Sequence, residues 1–583
     1  METALPFKSL RYPGAGPQTW GFQARRVNHW RNESSYLTPL SAAQSLRGHF
    51  RASLAATLVG IDAPEASRLV EMKPYAIGDV TTAGSSGTTT NDPGGDVGID
   101  VKVGVTQGLT GDFTANPDFA QVEADEQQIN LTRFNLFFPE KREFFLENQG
   151  TFSFGGGSTS GRLAGVSDTP ILFYSRRIGL HQTREVPLRA GGRLTGRAGA
   201  WTLGALNIQA GALPFEDEPP ADLFDARARD PEDEPPEVLP TNFTVLRAKR
   251  DVLRRSSVGA MFTDRSRHQL GDGSNSAYGV DGAFGFYDDV TINTHWARTR
   301  TEDLTGNDTS YRGHLNYMGD RYGVQLEHLL IGEDFRPELG FVRRRDMRRS
   351  FAELRFSPRP ASIRAVRRFV GTGSLAYVEN LGGAVETREA TGLFTIEWEN
   401  SDQLTVSAID SYEFLPLPFR IAPDVVLPVA GYDFTNLQLG YNFGQQRRFS
   451  ANVMAEHGSF YGGTKTTLGI SRGRVTITNQ VSVEPSLSLN WIDLPQGEFR
   501  TDLVGTRATW TMTPLMFASA LVQYNSRLDQ VSANIRFRWE YRPGSELFVV
   551  YNEDRNTGLD GFGRFPVLNN RAFIVKVNRL LRF

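Results

Sequence analysis

Val531-Ser532-Ala533-Asn534-Ile535-Arg536-Phe537-Arg538-Trp539-Glu540 is the stretch on which the reading of this chain turns. Val531, Ala533, Ile535, Phe537 and Trp539 hold the odd positions. Ser532, Asn534, Arg536, Arg538 and Glu540 hold the even ones. A strand sends successive side chains to opposite faces, so this pattern predicts a strand with one apolar and one polar face.

The pattern recurs. Val481, Val483, Leu487, Leu489 and Trp491 share a face with Pro485, against Ser482, Glu484, Ser486, Ser488 and Asn490. Val97, Ile99, Val101, Val103 and Val105 oppose Gly98, Asp100, Lys102, Gly104 and Thr106. Tight turns are expected at 106–108, 199–200, 287–289, 319–321, 400–402 and 444–446. Long polar connections are expected at 81–95, 211–241, 265–276, 300–309, 333–345, 413–431 and 555–569. Short turns at one rim and long loops at the other are the pattern of a transmembrane barrel. Hairpins between residues 68 and 583 predict about 24 strands, within a range of roughly 22–26.

The expected fold class is therefore all-β, a large transmembrane antiparallel β-barrel. The rival is a soluble propeller or sandwich. Soluble strands average about 5–6 residues and these run near 10. No blade repeat of about 40–50 residues is present. A wide barrel also accounts for the polar face, because side chains cannot fill its interior.

Composition agrees. Only 39% of the 583 residues are hydrophobic and 11% are aromatic. No run approaches the ~18 apolar residues of a membrane helix; the richest, Leu54 to Ile61, includes Thr57 and Gly60. With no cysteine, thiolate nucleophiles, Cys-ligated zinc, iron–sulfur clusters and disulfides are excluded. The net charge of −3 gives no basic field for nucleic acid, so no nucleic-acid partner is expected.

The final strand places Phe573, Val575, Val577, Leu581 and Phe583 on one face, interrupted by Arg579. It resembles the carboxy-terminal signal by which the assembly machinery of bacterial outer-membrane barrels recognises its substrates. That machinery, outer-membrane lipid and lipopolysaccharide are the partners the resemblance implies.

Residues 118–189 do not read as wall. Their middle holds Arg133, Phe134, Phe137, Phe138, Glu140, Lys141, Arg142, Glu143, Phe144, Phe145 and Glu147. So many aromatics beside paired charges need shelter, and at ~1.5–3 kcal/mol per buried Phe the shelter is worth several kcal/mol. A plug or lid in the lumen is expected. Asn116-Pro117-Asp118-Phe119-Ala120-Gln121-Val122-Glu123-Ala124-Asp125, followed by Asn130 to Glu147, resembles an outer-membrane family catalogued as domain of unknown function 5916. In that family the barrel usually follows a periplasmic domain resembling carbohydrate-binding module family 9.

Ala4 to Leu10, Trp20 to Arg26, Trp30, Asn32 and Glu33 resemble the end of such a domain. Residues 1–40 are accordingly expected to be its periplasmic remnant, and 41–583 the barrel. Met1-Glu2-Thr3-Ala4 has neither basic nor apolar leader character. The expectation is that the chain starts inside a longer coding sequence.

Residues 214–240 carry ten carboxylates, seven Pro and two Arg. They read as a solvated insertion, with cation or partner binding at the lipopolysaccharide surface as the alternative. Arg343, Arg344, Arg345, Arg348 and Arg349 form a basic run at a loop–strand junction. It lines an anion-selective constriction, binds lipopolysaccharide phosphates, or makes a charged rim.

Catalytic chemistry finds little footing. No two of the eight His lie within five residues, so a His-x-x-x-His metal pair is absent. His295 and His457 are expected on the polar side of their strands. Gly157-Ser158-Thr159-Ser160-Gly161 lacks the central Ser of a nucleophile elbow and reads as a flexible loop. Glu140-Lys141-Arg142-Glu143 is charge-balanced, which favours ion pairing over general acid–base work. No cofactor or metal is expected.

The expected function is passage or gated uptake of a solute through a polar lumen. A saccharide ligand is implied only by the family resemblance. A membrane-embedded hydrolase and an outer-membrane anchor or adhesin are the alternatives.

Overall fold

The computed structural model describes all residues except 1–3, 8–9, 11, 13, 29–32, 41–48, 51–53, 66–69, 86–87, 118–124, 158–167, 182–183, 214–237, 254, 268, 270–272, 303 and 559–565. Among the described residues, 24 antiparallel wall strands close into one barrel. The first four are Val70–Ser85, Thr88–Gly104, Leu109–Ala115 and Leu188–Ala198. The wall continues from Trp201–Ala210 round to Val567–Asn578, which Leu581–Arg582 prolongs.

The seam joins the last strand to the first, Val577 opposite Ala76 and Phe573 opposite Val80. Phe583 donates its N–H to the Val70 carbonyl at 3.0 Å. The last strand breaks at Arg579–Leu580, beside Pro74, whose ring nitrogen has no N–H to give the ladder. Pro485 has a similar effect. Its neighbour strand Gly463–Thr476 bulges between Ile470 and Val475, with Arg472 at φ 52°. A Cβ on Gly473 there would meet the Pro485 carbonyl, so the bulge requires glycine at that point.

Exposure separates the two faces. Leu437 and Ile535 are 53% and 47% exposed and point outward, whereas the inward Ile208 and Val245 are fully buried. The alternating stretches fall as expected, with Ile535, Trp539, Val97 and Trp491 all outward. Aromatic side chains gather at both ends of this apolar surface. Tyr278 and Phe286, on one strand, stand roughly 26 Å apart along it at ~3.3 Å per residue. That suits a tilted strand crossing an apolar band of ~25 Å.

Two expectations change. Residues 81–95 are not a long connection. Thr81 pairs with Asp92 and the ladder runs on to Ser85 and Thr88, so the polar Thr-Asn-Asp-Gly stretch is itself strand. At the other end, Gly16–Phe22 pairs antiparallel with Ala56–Ala63, and hydrogen bonding carries the amino-terminal unit beyond the boundary at residue 40.

Candidate functional site

The chain leaves the wall at Asn116, after a strand of only seven residues, and re-enters at Leu188. Asn116 takes a left-handed backbone (φ 52°), which Asn tolerates better than most residues. Its carbonyl accepts from the Tyr75 hydroxyl and its amide donates to the Val97 carbonyl at 2.9 Å.

The segment between touches inward side chains around the barrel. One flank is dry. Phe145, Phe152, Phe154, Leu172, Phe173 and Ile178 of the segment form one buried cluster with Leu206, Ile208, Val245, Met261, Leu329 and Ile331 of the wall. The inner face from Leu188 to Met347 thus mixes apolar side chains with buried polar ones, among them Arg193, Arg247, Thr263, His295, Arg312 and Glu327. On the other flank Ser374, Thr391, Asn534 and Asn552 face inward and stay half-buried, and Glu389 is exposed.

Close packing fixes the seal. Gly155 and Gly156 have φ of 61° and 77°. A Cβ at Gly155 would lie 2.5 Å from His295 Nδ1. The Gly155 N–H donates to Asp281 at 3.1 Å, and Arg312 donates to the Gly155 carbonyl at 3.1 Å. His295 is inward and buried, as its strand alternation predicted.

Arginines shelter the aromatics of the 130–147 run. Phe134 is ringed by Arg133, Arg343 and Arg344, with guanidinium carbons 4.8, 5.0 and 5.6 Å from its centroid. Arg142 covers Phe145, Arg193 covers Phe144, and Arg176 approaches Phe138. Phe137 packs on Tyr174 and Phe341. Of the five Phe between 134 and 145, only Phe145 is fully buried; cation–π contact and partial burial hold the rest.

Ion pairs tie the segment to distant strands. Arg133 bridges Glu386 and Glu413, each at 3.0 Å. Arg344 also donates to Glu386, and the Tyr461 hydroxyl donates to Glu413 at 2.9 Å. Glu143 takes Lys73 at 2.7 Å, and Glu147 takes Lys102. Lys141 reaches Asp125 at 2.9 Å. Glu140 accepts from Arg142 at 2.7 Å and from the Ser175 hydroxyl at 2.6 Å. Of the run Glu140-Lys141-Arg142-Glu143, only that Glu140–Arg142 pair is internal.

Burial works to raise the Glu140 carboxyl, but the hydrogen bonds and charge of Arg142 outweigh it and hold it below the ordinary value. Glu143, though its side chain is largely exposed, loses some solvation, which the charge of Lys73 outweighs, so its carboxyl is also lowered. Burial pushes the Tyr174 phenol up to about 12.

The 415–430 loop makes a second apolar cluster. Leu415, Ile421 and Leu427 are fully buried, with Leu131 of the segment packed against them. Arg527 donates to the carbonyls of Asn130 (3.0 Å) and Ile421 (2.6 Å), joining loop to segment.

The basic run divides. Arg343 and Arg349 approach Asp168 at 3.8 and 3.5 Å, and Arg344 joins Glu386. Arg345 donates to the Glu333 carbonyl. Arg348 has the opposite parity and pairs with Glu379 at 3.0 Å. Strand alternation sends Arg348 and Arg349 to opposite faces, while Arg343, Arg344 and Arg345 precede the strand.

His457 is likewise outward, not on the polar side. It stands opposite Leu437 and Thr466, and Leu437 is exposed on the outer face. Phe573, Val575 and Val577 share the outer face, and Phe583 is exposed. Leu581 stands opposite Met72. Residues 118–124, Trp30, Asn32, Ser158 to Gly161 and the acidic stretch 214–237 lie outside the described residues. Among the described residues, no group of three His, Asp or Glu gathers to hold a metal ion.

The closed ladder and its apolar outer belt define a transmembrane β-barrel of the outer-membrane type. Its residues 66–192, which include the first wall strand and the inner segment, match the model of the family described as domain of unknown function DUF5916. No curated protein matches the chain. Among solved structures it is similar to OccAB3 of Acinetobacter baumannii, at 10% identity over 88% of this chain and 99% of that one, with a TM-score of 0.29. It is similar to the siderophore receptor PirA of the same organism (9% identity, 91% and 83% covered, TM-score 0.39). It is also similar to the ferric yersiniabactin uptake receptor FyuA of Yersinia pestis (9%, 92% and 83%, TM-score 0.37).

Proposed function

We propose that the barrel passes a solute across the outer membrane, with the inner segment as its gate. One observation carries this reading. The segment seals against one flank of the wall through a buried apolar cluster, while the opposite inner face keeps half-exposed polar side chains such as Ser374, Asn534 and Asn552. A structural filler would gain most by burying every face it meets. A polar flank beside a segment held by side-chain contacts suits a route that widens when those contacts release.

The chain has no cysteine, so introduced pairs report cleanly. Gln127→Cys with Ser532→Cys, and Asn148→Cys with Thr195→Cys, would pin the start and the middle of the segment to the wall, since each pair is in hydrogen-bond contact. Conductance in planar bilayers is expected to fall when a short bifunctional thiol reagent bridges both pairs. Deletion of 125–187 is expected to raise it severalfold. A barrel that stays sealed after the deletion would make the anchor reading the better one.

A further inference from the structure

We propose that a cavity between the inner segment and the strands beside the seam binds a small zwitterionic amino acid, with Asp100 and Thr114 taking its ammonium and Lys576 its carboxylate. Binding itself does not rest on the gate reading; only its effect on conductance does.

The cavity measures about 60 Å³. Lys73, Asp100, Thr114 and Lys576 of the wall line it, and Phe144 and Phe145 of the segment close it. It lies toward the short-turn rim, since Lys73 stands near the start of the strand Val70–Ser85. One water needs ~10–15 Å³, so the space holds roughly four water-sized groups and suits a small ligand.

Two polar atoms of its lining are unsatisfied. Asp100 Oδ1 and Thr114 Oγ1 are buried, and among the described residues neither makes a hydrogen bond of good geometry. Thr114 is only 4% exposed. The two residues stand opposite each other in the ladder. Both point inward, because Val97 and Phe113 point out.

On its other side Asp100 stands directly opposite a cation, Lys73. The segment draws that cation away. The Lys73 ammonium meets Glu143 at 2.7 Å and Glu546 at 3.9 Å. Docking of the segment therefore leaves a carboxylate oxygen inside the cavity without a donor, which is costly unless one is supplied.

The donor that fits has two charged ends. A bare amine would meet Asp100 but stand beside the ammonium groups of Lys73 and Lys576. A bare carboxylate would suit those and repel Asp100. An amino acid satisfies both. Its ammonium donates to Asp100 Oδ1 and Thr114 Oγ1, and its carboxylate accepts from Lys576, whose ammonium lies 5.2 Å over the Tyr75 ring. Phe145, Leu188 and Ile208, all buried, receive a short apolar side chain. Wall and segment both line the cavity, so the ligand favours the docked segment over the released one, in which Lys73 can return to Asp100.

The test titrates the full-length barrel in detergent with L-alanine, ethylamine and propionate, binding being read by isothermal calorimetry. Alanine should bind at least about tenfold more tightly than either half-molecule. Asp100→Asn and Thr114→Val keep the shape of the cavity, and each should weaken alanine binding about tenfold. Thr391→Val, which removes a hydroxyl from the opposite inner face, should change nothing. Heat-modified migration on gels checks that each variant is folded. The proposal is overturned if alanine shows no saturable binding, if ethylamine or propionate binds as tightly, or if both Asp100→Asn and Thr114→Val bind alanine like wild type. Bound alanine should also shorten open events in single-channel records. Binding with conductance unchanged would uphold the site and count against the segment as gate.

Discussion

Arg133 and Glu386 are 253 residues apart in the chain and 3.0 Å apart in space. Arg133 belongs to the inner segment and Glu386 to a wall strand. The same guanidinium reaches Glu413 on the next strand, so one side chain fastens the segment to two strands at once.

Replacing Arg133 by Ala leaves Glu386 with Arg344 but takes from Glu413 its only guanidinium among the described residues, leaving Tyr461 as a partner. Breaking one largely buried pair in such a network costs about 2–3 kcal/mol. We expect the segment to release more often, seen as longer open events in single-channel records. Arg133→Lys should fail to restore closure, since an ammonium cannot span both carboxylates. Records indistinguishable from wild type would remove Arg133 from the gate.

Acid should loosen the segment. The Glu140 carboxyl in the fold lies below its ordinary value of 4.5. Its contribution is therefore complete above that value and is lost as the pH falls through the lower folded one. Limited proteolysis of the segment should accelerate below about pH 4. Glu140→Gln should cut at a raised rate already at pH 7, with a smaller further change in acid.

Gly155→Ala tests the seal against His295. The new Cβ would sit 2.5 Å from the imidazole, on a backbone at φ 61°. We expect a local cost of about 2 kcal/mol or more, measured as faster amide exchange in 152–157 while the wall strands keep their protection. Equal exchange in the two proteins would show that the turn has room to shift.

Phe173→Ala removes a ring from the dry flank, where it packs edge-on to Phe152 at 5.4 Å. A large-to-small change at such a site costs about 3–5 kcal/mol. The barrel should survive, because its strands are held by the closed ladder, and the loss should appear as raised conductance and faster cleavage of the segment. A drop in whole-barrel melting with conductance unchanged would mean that this cluster serves the wall alone.

Much of the architecture is present in the one-dimensional pattern. Alternation at Val531–Trp539, Val481–Trp491 and Val97–Val105 assigned faces that the barrel keeps, because a period of two is local geometry. It failed where faces depend on neighbours. His457 has the right parity for either side until its register with Leu437 is known. The run Arg343 to Arg349 looks like one cationic surface until Arg348 turns away from the others.

The sequence by itself determined most of the strands, the apolar face of the last one, and a Phe-rich segment that needs shelter. Those follow from alternation and from the cost of exposing apolar surface, both readable within a few residues. Tertiary structure alone decided where the shelter is. Glu386, Glu413, Lys73 and Lys102 carry no motif, and only closure of the barrel brings them to the segment. The dry flank was hidden for the same reason. Leu206, Ile208, Val245 and Leu329 read as ordinary strand residues, and their inward direction has meaning only once a second surface stands opposite them.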